Sequence, residues 1–458
     1  MAALPLLLTL LAVAAWARLL DSEGESSSRF HRIAEAISVH VVVSVIVAVA
    51  LVACGSFRPL SAAALAGALP VLAVFLARPG RGATAPRALA TPLEARAAVL
   101  VVLFLPFTWP NLEPLRMVRD AGVYSTRAVH HLHEGELTGR IAVRDRLRGE
   151  LLAVFDRDNM LESSEATTDD EVGAYLPGTY VSPRDRSRFS FQFLPGWPMA
   201  LALWAGHFGL EHLYGVQPVL YALSIVLFAL VVQRHARGMR TPLAATLLFA
   251  SSPLLLFFSR YPTSELLLLF AFLFVVHFAA ERSWRAPVLG SAGVALLALS
   301  HSSTFLYAPL LLLAAVGAGR PHRRSLAHFA AISFGSLLVL LPVTFLVSPD
   351  YMRYVYAYSF AFLPVRDPMR AGVASVAAFY LVSLGLSLRA LRSTGGEARP
   401  GNAGLRGLLS AATPGFLLLV ALWTLGSAYR LGWTDLFLRS PNVGAWARRA
   451  AYANAGLS

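Results

Sequence analysis

The sequence predicts an all-α polytopic membrane protein, with about 12 transmembrane helices and one large extracytoplasmic loop containing juxtamembrane helices. Three observations lead there. Of 458 residues, 56% are hydrophobic and 14% charged, against ~25% charged in soluble domains, and mean hydropathy is +0.60. The apolar residues fall in blocks of roughly 16–22, the length a helix needs to cross a bilayer. One long polar stretch, residues 109–192, interrupts them.

Lipid offers no partner for backbone N–H and C=O, so the apolar blocks must be helical, and the alternation of a membrane β-barrel is absent. Spans are expected near 5–20, 38–54, 60–77, 96–110, 214–233, 241–258, 263–281, 286–300, 303–319, 325–347, 371–391 and 409–428. The first span lacks a positively charged leader and a small-residue cleavage site, so it reads as retained rather than as a signal peptide. Residues 194–210 are apolar but carry Pro195, Gly196 and Pro198 and are short for a span, which suits a helix lying in the outer interface.

Arginine placement orients these spans. All 39 basic residues are arginine, a bias that, with the abundant alanine and leucine, looks like the codon usage of a GC-rich genome. The connectors around Arg81, Arg237, Arg285, Arg323 and Arg392 fall on one side, expected to be cytoplasmic. The polar island and the connectors near Arg260, His301 and Asp350 fall on the other. The chain thus divides into N-terminal helices (1–95), a core with the outer loop 110–192 and the 194–210 helix (96–348), and a C-terminal outer loop, helices and tail (349–458). The expected setting is a bacterial inner (plasma) membrane with the site outside.

The net charge of +13 sits largely in loops, where it meets lipid headgroups. It forms no compact patch with interleaved aromatics, so no nucleic-acid partner is expected. The single cysteine, Cys54, can make neither an intrachain disulfide nor a cysteine-based metal site. No phosphate loop, nucleophile elbow or dinucleotide fingerprint is present.

The candidate chemistry gathers on the outer side. Asp120 lies past the end of a span, where helical periodicity resumes through Val123, Ala128, Val129 and Leu132. A carboxylate there can act as general base, can hold a divalent metal, or can simply cap a helix, the commonest job for such an aspartate. The stretch His130-His131-x-His133-Glu134 has metal-capable residues but no third ligand in view, and it equally suits a solvated helix end. Glu265 and Arg260 flank Tyr261-Pro262 at the edge of a span, as a structural ion pair or a substrate-binding one. His301, followed by Ser302, Ser303 and Thr304, can bind a phosphate or mark a helix break. In the outer loop 349–370, Tyr351, Tyr354 and Tyr356 suit an interfacial belt, and Arg353 could clamp a lipid phosphate. The acidic cluster Glu162, Glu165, Asp169, Asp170 and Glu171 reads as a solvated loop.

Taken in order, several of these pieces resemble the GT-C glycosyltransferases, polytopic enzymes that use polyprenyl-phosphate sugars, and the protein mannosyltransferase and aminoarabinose transferase group among them. Asp120-Ala121-Gly122-Val123-Tyr124, with Ala128, Leu132 and Gly135, resembles the start of that family's first outer loop. Leu194-Pro195-Gly196-Trp197-Pro198 through Phe208-Gly209 is similar to its proline-marked juxtamembrane helix, and Ser252-Pro253 with Arg260 and Glu265 to its "SP…R…(D/E)" hairpin. His301 stands where the family often carries a basic residue. The resemblance implies a membrane glycosyltransferase with a polyprenyl-phosphate sugar donor and a glycan, lipid or protein acceptor. Asp120 would be the catalytic base, Glu265 a second acidic site residue, and Arg260 and His301 contacts to the lipid phosphate; Arg353 and Tyr124 are expected to join them in binding substrate. The alternative is a polytopic transporter or lipid flippase, which would be expected to show internal repeats and a binding site near the membrane midplane.

Overall fold

The computed structural model describes residues 3–21, 28–76, 88–109, 120–140, 146, 148–149, 175–176, 179–181, 187–235, 238–279, 281, 285–305, 323–359 and 367–393. The protein is largely helical. Among the described residues, four helices are long and apolar enough to cross a membrane, Arg29–Ala53, Leu210–Arg234, Ser325–Val347 and Met369–Arg389, and four shorter apolar helices accompany them. Large apolar side chains stand fully outward on several of these helices, Phe75, Leu346, Leu248 and Val102 among them, as expected where lipid rather than water is the solvent. The expected spans at 303–319 and 409–428, the acidic cluster 162–171 and the connector 393–407 lie outside the described residues, apart from 303–305 and Ser393.

Helix α1 spans Ala3–Asp21, α2 Arg29–Ala53 and α3 Pro59–Leu76. Helix α2 begins nine residues before the expected span, because Ser28 accepts a hydrogen bond from the backbone N–H of His31 and starts the helix within a charged turn. Helix α4, Pro92–Phe104, also starts early: Thr91 and Glu94 form a reciprocal capping box and Pro92 fits the first turn. It then tightens into a short turn, Leu105–Thr108, where Pro106 has no N–H to offer.

In the polar island, α5 spans Asp120–Glu134 and is followed by a four-stranded antiparallel sheet, an element the sequence reading had not anticipated. Strands β1 (Thr138–Arg140), β2 (Tyr175–Leu176), β3 (Thr179–Val181) and β4 (Arg188–Phe191) are ordered β1-β4-β3-β2. Ala121, Tyr124, Ala128 and His131 recur every three or four residues, so α5 buries one stripe. Gly135, at φ +74°, ends the helix, and a Cβ there would meet the Phe57 carbonyl at 2.7 Å.

Helix α6, Gly196–Phe208, is only 13 residues, about 20 Å at 1.5 Å per residue, too short to cross the ~30 Å hydrocarbon core. It is enclosed by protein, packing against α2, α3, α5 and α11 (Ala286–Ser300), with nine of its residues buried. Gly196 permits this packing: a Cβ would stand 2.3 Å from Ser300 Oγ and 2.8 Å from the Leu299 carbonyl.

Helix α7 spans Val216–His235. The expected span 241–258 is broken in two, α8 (Arg240–Ala250) and α9 (Pro253–Phe258), because Ser252 adopts a non-helical ψ of 122° ahead of Pro253. Helix α10 covers Glu265–Ala279, and α11 matches its expected bounds. Helices α12 (Arg323–Val347), α13 (Pro349–Ser359) and α14 (Pro368–Ser393) are the last of the described helices.

Candidate functional site

The constellation around Asp120 is built from five chain segments. Tyr124 lies one turn after Asp120 on α5, so both face the same side. The Tyr124 hydroxyl is 3.2 Å from Ser264 Oγ, which immediately precedes Glu265 at the start of α10. The Tyr124 ring stacks on Phe193 (centroids 4.7 Å), and Phe193 meets the edge of Tyr351 at 5.5 Å. The Tyr351 hydroxyl is 3.1 Å from Ser302 Oγ, the residue after His301. Residues 120, 193, 265, 301 and 351 thus come to one place.

The electrostatics carry the same grouping. The carboxylates of Asp120 and Glu265 are both exposed. On its protein side Asp120 loses water, and this, together with Glu265's negative charge, raises its carboxyl above the usual range against the pull of its own backbone N–H and of His301. Asp120 opens α5 and hydrogen-bonds its own backbone, so its helix-start role and its place in the cluster coexist. Burial lowers His301, while Glu265 and Asp120 act the other way. The backbone N–H of Ser303 donates to His301 Nδ1 at 3.2 Å, which leaves the proton of the neutral ring on Nε2 as a free donor. Burial also raises the Tyr124 and Tyr351 hydroxyls, so both stay protonated.

A rigid frame stands behind this group. Arg127 is 1% exposed. Its Nη1 donates to the Phe193 carbonyl (2.5 Å) and to Ser348 Oγ (3.3 Å), and its Nε donates to His131 Nε2 (2.9 Å). Burial lowers its proton affinity to about 9, still charged at neutral pH. Phe193 itself has φ +74°, a left-handed conformation costing on the order of 1–3 kcal/mol in a bulky residue. Arg127 and Ser348 (2.9 Å) hold its carbonyl from two sides and offset that cost. Asp350 accepts from Ser190 on β4 at 2.5 Å, which ties the sheet to α13, and Trp197 Nε1 donates to the Pro262 carbonyl at 3.1 Å.

Not every expected residue joins by these contacts. Arg260 is half-buried in the turn before α10, and Arg353 is exposed on α13 two residues beyond Tyr351. The histidines after Tyr124 serve the frame: His131 is buried and donates from Nδ1 to the Glu136 carbonyl, while His130 reaches the Thr138 carbonyl. An apolar cavity of about 170 Å³ lies between α1, α2, α3, α6 and α7, lined by Trp204, Phe208 and Leu220, with His40 and His207 among its polar groups; neither Asp120 nor Glu265 borders it.

A second constellation lies at the opposite, arginine-rich end. His31 and Glu35 on α2 meet His277 and Glu281 at the end of α10, and this buried His/Glu cluster could coordinate a divalent metal. It is the only such group of three or more among the described residues. The sequence signal for it is a repeated spacing, His31-Arg-Ile-Ala-Glu35 and His277-Phe-Ala-Ala-Glu281, each at the end of an apolar run. Nothing local marks the two pairs as neighbours, since Glu35 and His277 stand 242 residues apart.

No family model matches the chain, and no similar characterised protein or solved structure was found for it.

Proposed function

We propose that the chain is a membrane glycosyltransferase, moving a sugar from a polyprenyl-phosphate donor to an acceptor hydroxyl at the outer surface. One observation carries this reading: Asp120 and His301, far apart in sequence, lie close enough to act on each other's protonation, with the charge of Glu265 acting on both, on a frame built by Tyr124, Phe193 and Tyr351. Paired groups of this kind, partly wet and partly crowded, suit proton transfer.

In the proposed reaction the Asp120 carboxylate takes the proton of the acceptor hydroxyl. The acceptor oxygen attacks the anomeric carbon, and the bond from that carbon to the lipid-phosphate oxygen breaks. The electron pair leaves with the phosphate. His301 donates its Nε2–H to that phosphate, and Arg260 and Arg353 add positive charge where it develops. Glu265 keeps the Asp120 carboxyl basic enough for its task. The test is transfer from polyprenyl-phosphate sugars by the purified protein, wild type beside Asp120→Asn. Equal activity in the two removes Asp120 as the base.

A further inference from the structure

We infer that His31, Glu35, His277 and Glu281 form a binding site for one divalent first-row transition ion, with zinc the best match, that staples α2 to the end of α10.

The ligand atoms already converge. His31 Nε2 and His277 Nε2 lie 2.8 and 2.7 Å from the same oxygen, Glu35 Oε1. Glu281 Oε1 is 3.6 Å from His277 Nε2, and one ligand atom from each residue falls within 4.8 Å of all the others. Around a tetrahedral ion with bonds of ~2.0–2.1 Å, ligand atoms sit roughly 3.3 Å apart. The two short contacts must open by about half an ångström and the longest separation must close by up to roughly 1.5 Å, within the reach of side-chain rotamer changes. The side chains are 14%, 7%, 0% and 11% exposed, so water competes little.

Each ligand is also held from behind. Glu94 Oε1 stands 3.5 Å from His31 Nδ1. Glu94 is itself fixed by Ser28 Oγ at 2.5 Å and by the Thr91 N–H at 2.6 Å. This is the carboxylate–histidine arrangement that presents the other ring nitrogen to a metal. Arg234 donates to Glu281 Oε1 and to the His277 carbonyl, both at 2.7 Å, orienting the fourth ligand. Its charge opposes a cation, but Glu35 and Glu94 alone outnumber it. His277 Nδ1 is buried without a hydrogen-bond partner, while Nε2 at 2.7 Å from Glu35 Oε1 carries the ring proton that an incoming ion would displace. Two carboxylates crowded beside two imidazoles repel each other until a proton or a cation lies between them.

The donor set chooses the ion. Two imidazole nitrogens and two carboxylate oxygens, with no thiolate, suit zinc, manganese(II) or iron(II). Calcium and magnesium prefer all-oxygen shells, and copper(I) prefers sulfur. Four protein ligands close a tetrahedral shell, as in structural sites. The place agrees: from Glu265 to His277 is 12 residues of helix, about 18 Å, so the ion is remote from the outer constellation. The inference does not rest on the proposed sugar transfer.

The experiment uses the full chain purified in detergent, stripped by a chelator and dialysed against micromolar zinc or cobalt(II). Wild type and Asp120→Asn are expected to retain about one ion per chain, and zinc is expected to raise the thermal midpoint of both. His277→Gln and Glu35→Gln should lose the ion and that thermal response, and Glu94→Gln should bind about tenfold or more weakly. If a variant fails to fold, the cobalt(II) spectrum of wild type decides, since intense d–d bands report a four-coordinate nitrogen–oxygen site. Folded wild type that retains no zinc, a cobalt spectrum matching the free aqueous ion, or folded His277→Gln with wild-type uptake would each overturn the site.

Discussion

The two ends of α10 use the same residue types in opposite ways. At its start Glu265 is exposed, near Asp120 and His301, and its carboxylate is not locked to them by short contacts. At its end His277 is wholly buried, and Glu35 and Glu281 are held by histidine and arginine within 2.8 Å. A carboxylate saturated by fixed donors cannot take part in a reaction cycle without breaking them. One left half-wet, with a like charge nearby, can trade a proton at modest cost. The contrast separates a constellation suited to chemistry from one suited to holding helices together.

The largest effect should come from removing the exchangeable proton site. Asp120→Asn is expected to lower transfer by roughly 10²–10⁴-fold, the usual range for a general base. The same variant should unfold at an unchanged or slightly higher temperature. Because Asp120's carboxyl is raised on folding, its ionised form disfavours the folded state as pH rises past its ordinary value, and asparagine lacks that penalty. A clear fall in the thermal midpoint would move Asp120 from the reactive class to the structural one.

Arg127→Met tests the frame. It strands the Phe193 carbonyl and releases the left-handed turn, and should cost about 3 kcal/mol in chemical denaturation. A loss below ~0.5 kcal/mol would show that the frame is held elsewhere. Gly196→Ala is expected to cost about 1–3 kcal/mol, because its Cβ meets the Leu299 backbone as well as Ser300 Oγ. The smallest effect concerns pH. Activity should rise as Asp120 loses its proton, and Glu265→Gln removes the charge that holds that proton, so the acid limb of the rate profile should move to lower pH. A limb that stays in place would mean the two carboxylates do not share a site.

How much of this was legible depended on the kind of signal. The ends of α11 could be read from Arg285, Pro287 and the polar run at His301, all local cues. The early start of α2 could not, since Arg32 and Glu35 look like loop residues until the fold buries them. The break at Ser252-Pro253 was visible as a motif but not weighed as a helix breaker. In β4 the alternation of Phe189 and Phe191 was present, yet four residues are too few to announce a strand inside a long polar stretch. Asp120, Glu265 and His301 were found as separate suspects; Tyr124 to Ser264 and Tyr351 to Ser302 link them through contacts across the chain that no local pattern encodes.

The shortness of α6 has a consequence for how the protein is made. The helix is apolar, cannot span the bilayer, and finishes up surrounded by α2, α3, α5 and α11. Its last neighbour, α11, is translated about 90 residues later. Until then α6 can rest on α2, α3 and α5, already made, with its remaining face at the boundary between lipid and water, which its apolar sequence suits. The close fit of Gly196 against Leu299 and Ser300 therefore forms after the contacts with α2, α3 and α5 can form, and it closes the last face of this short helix.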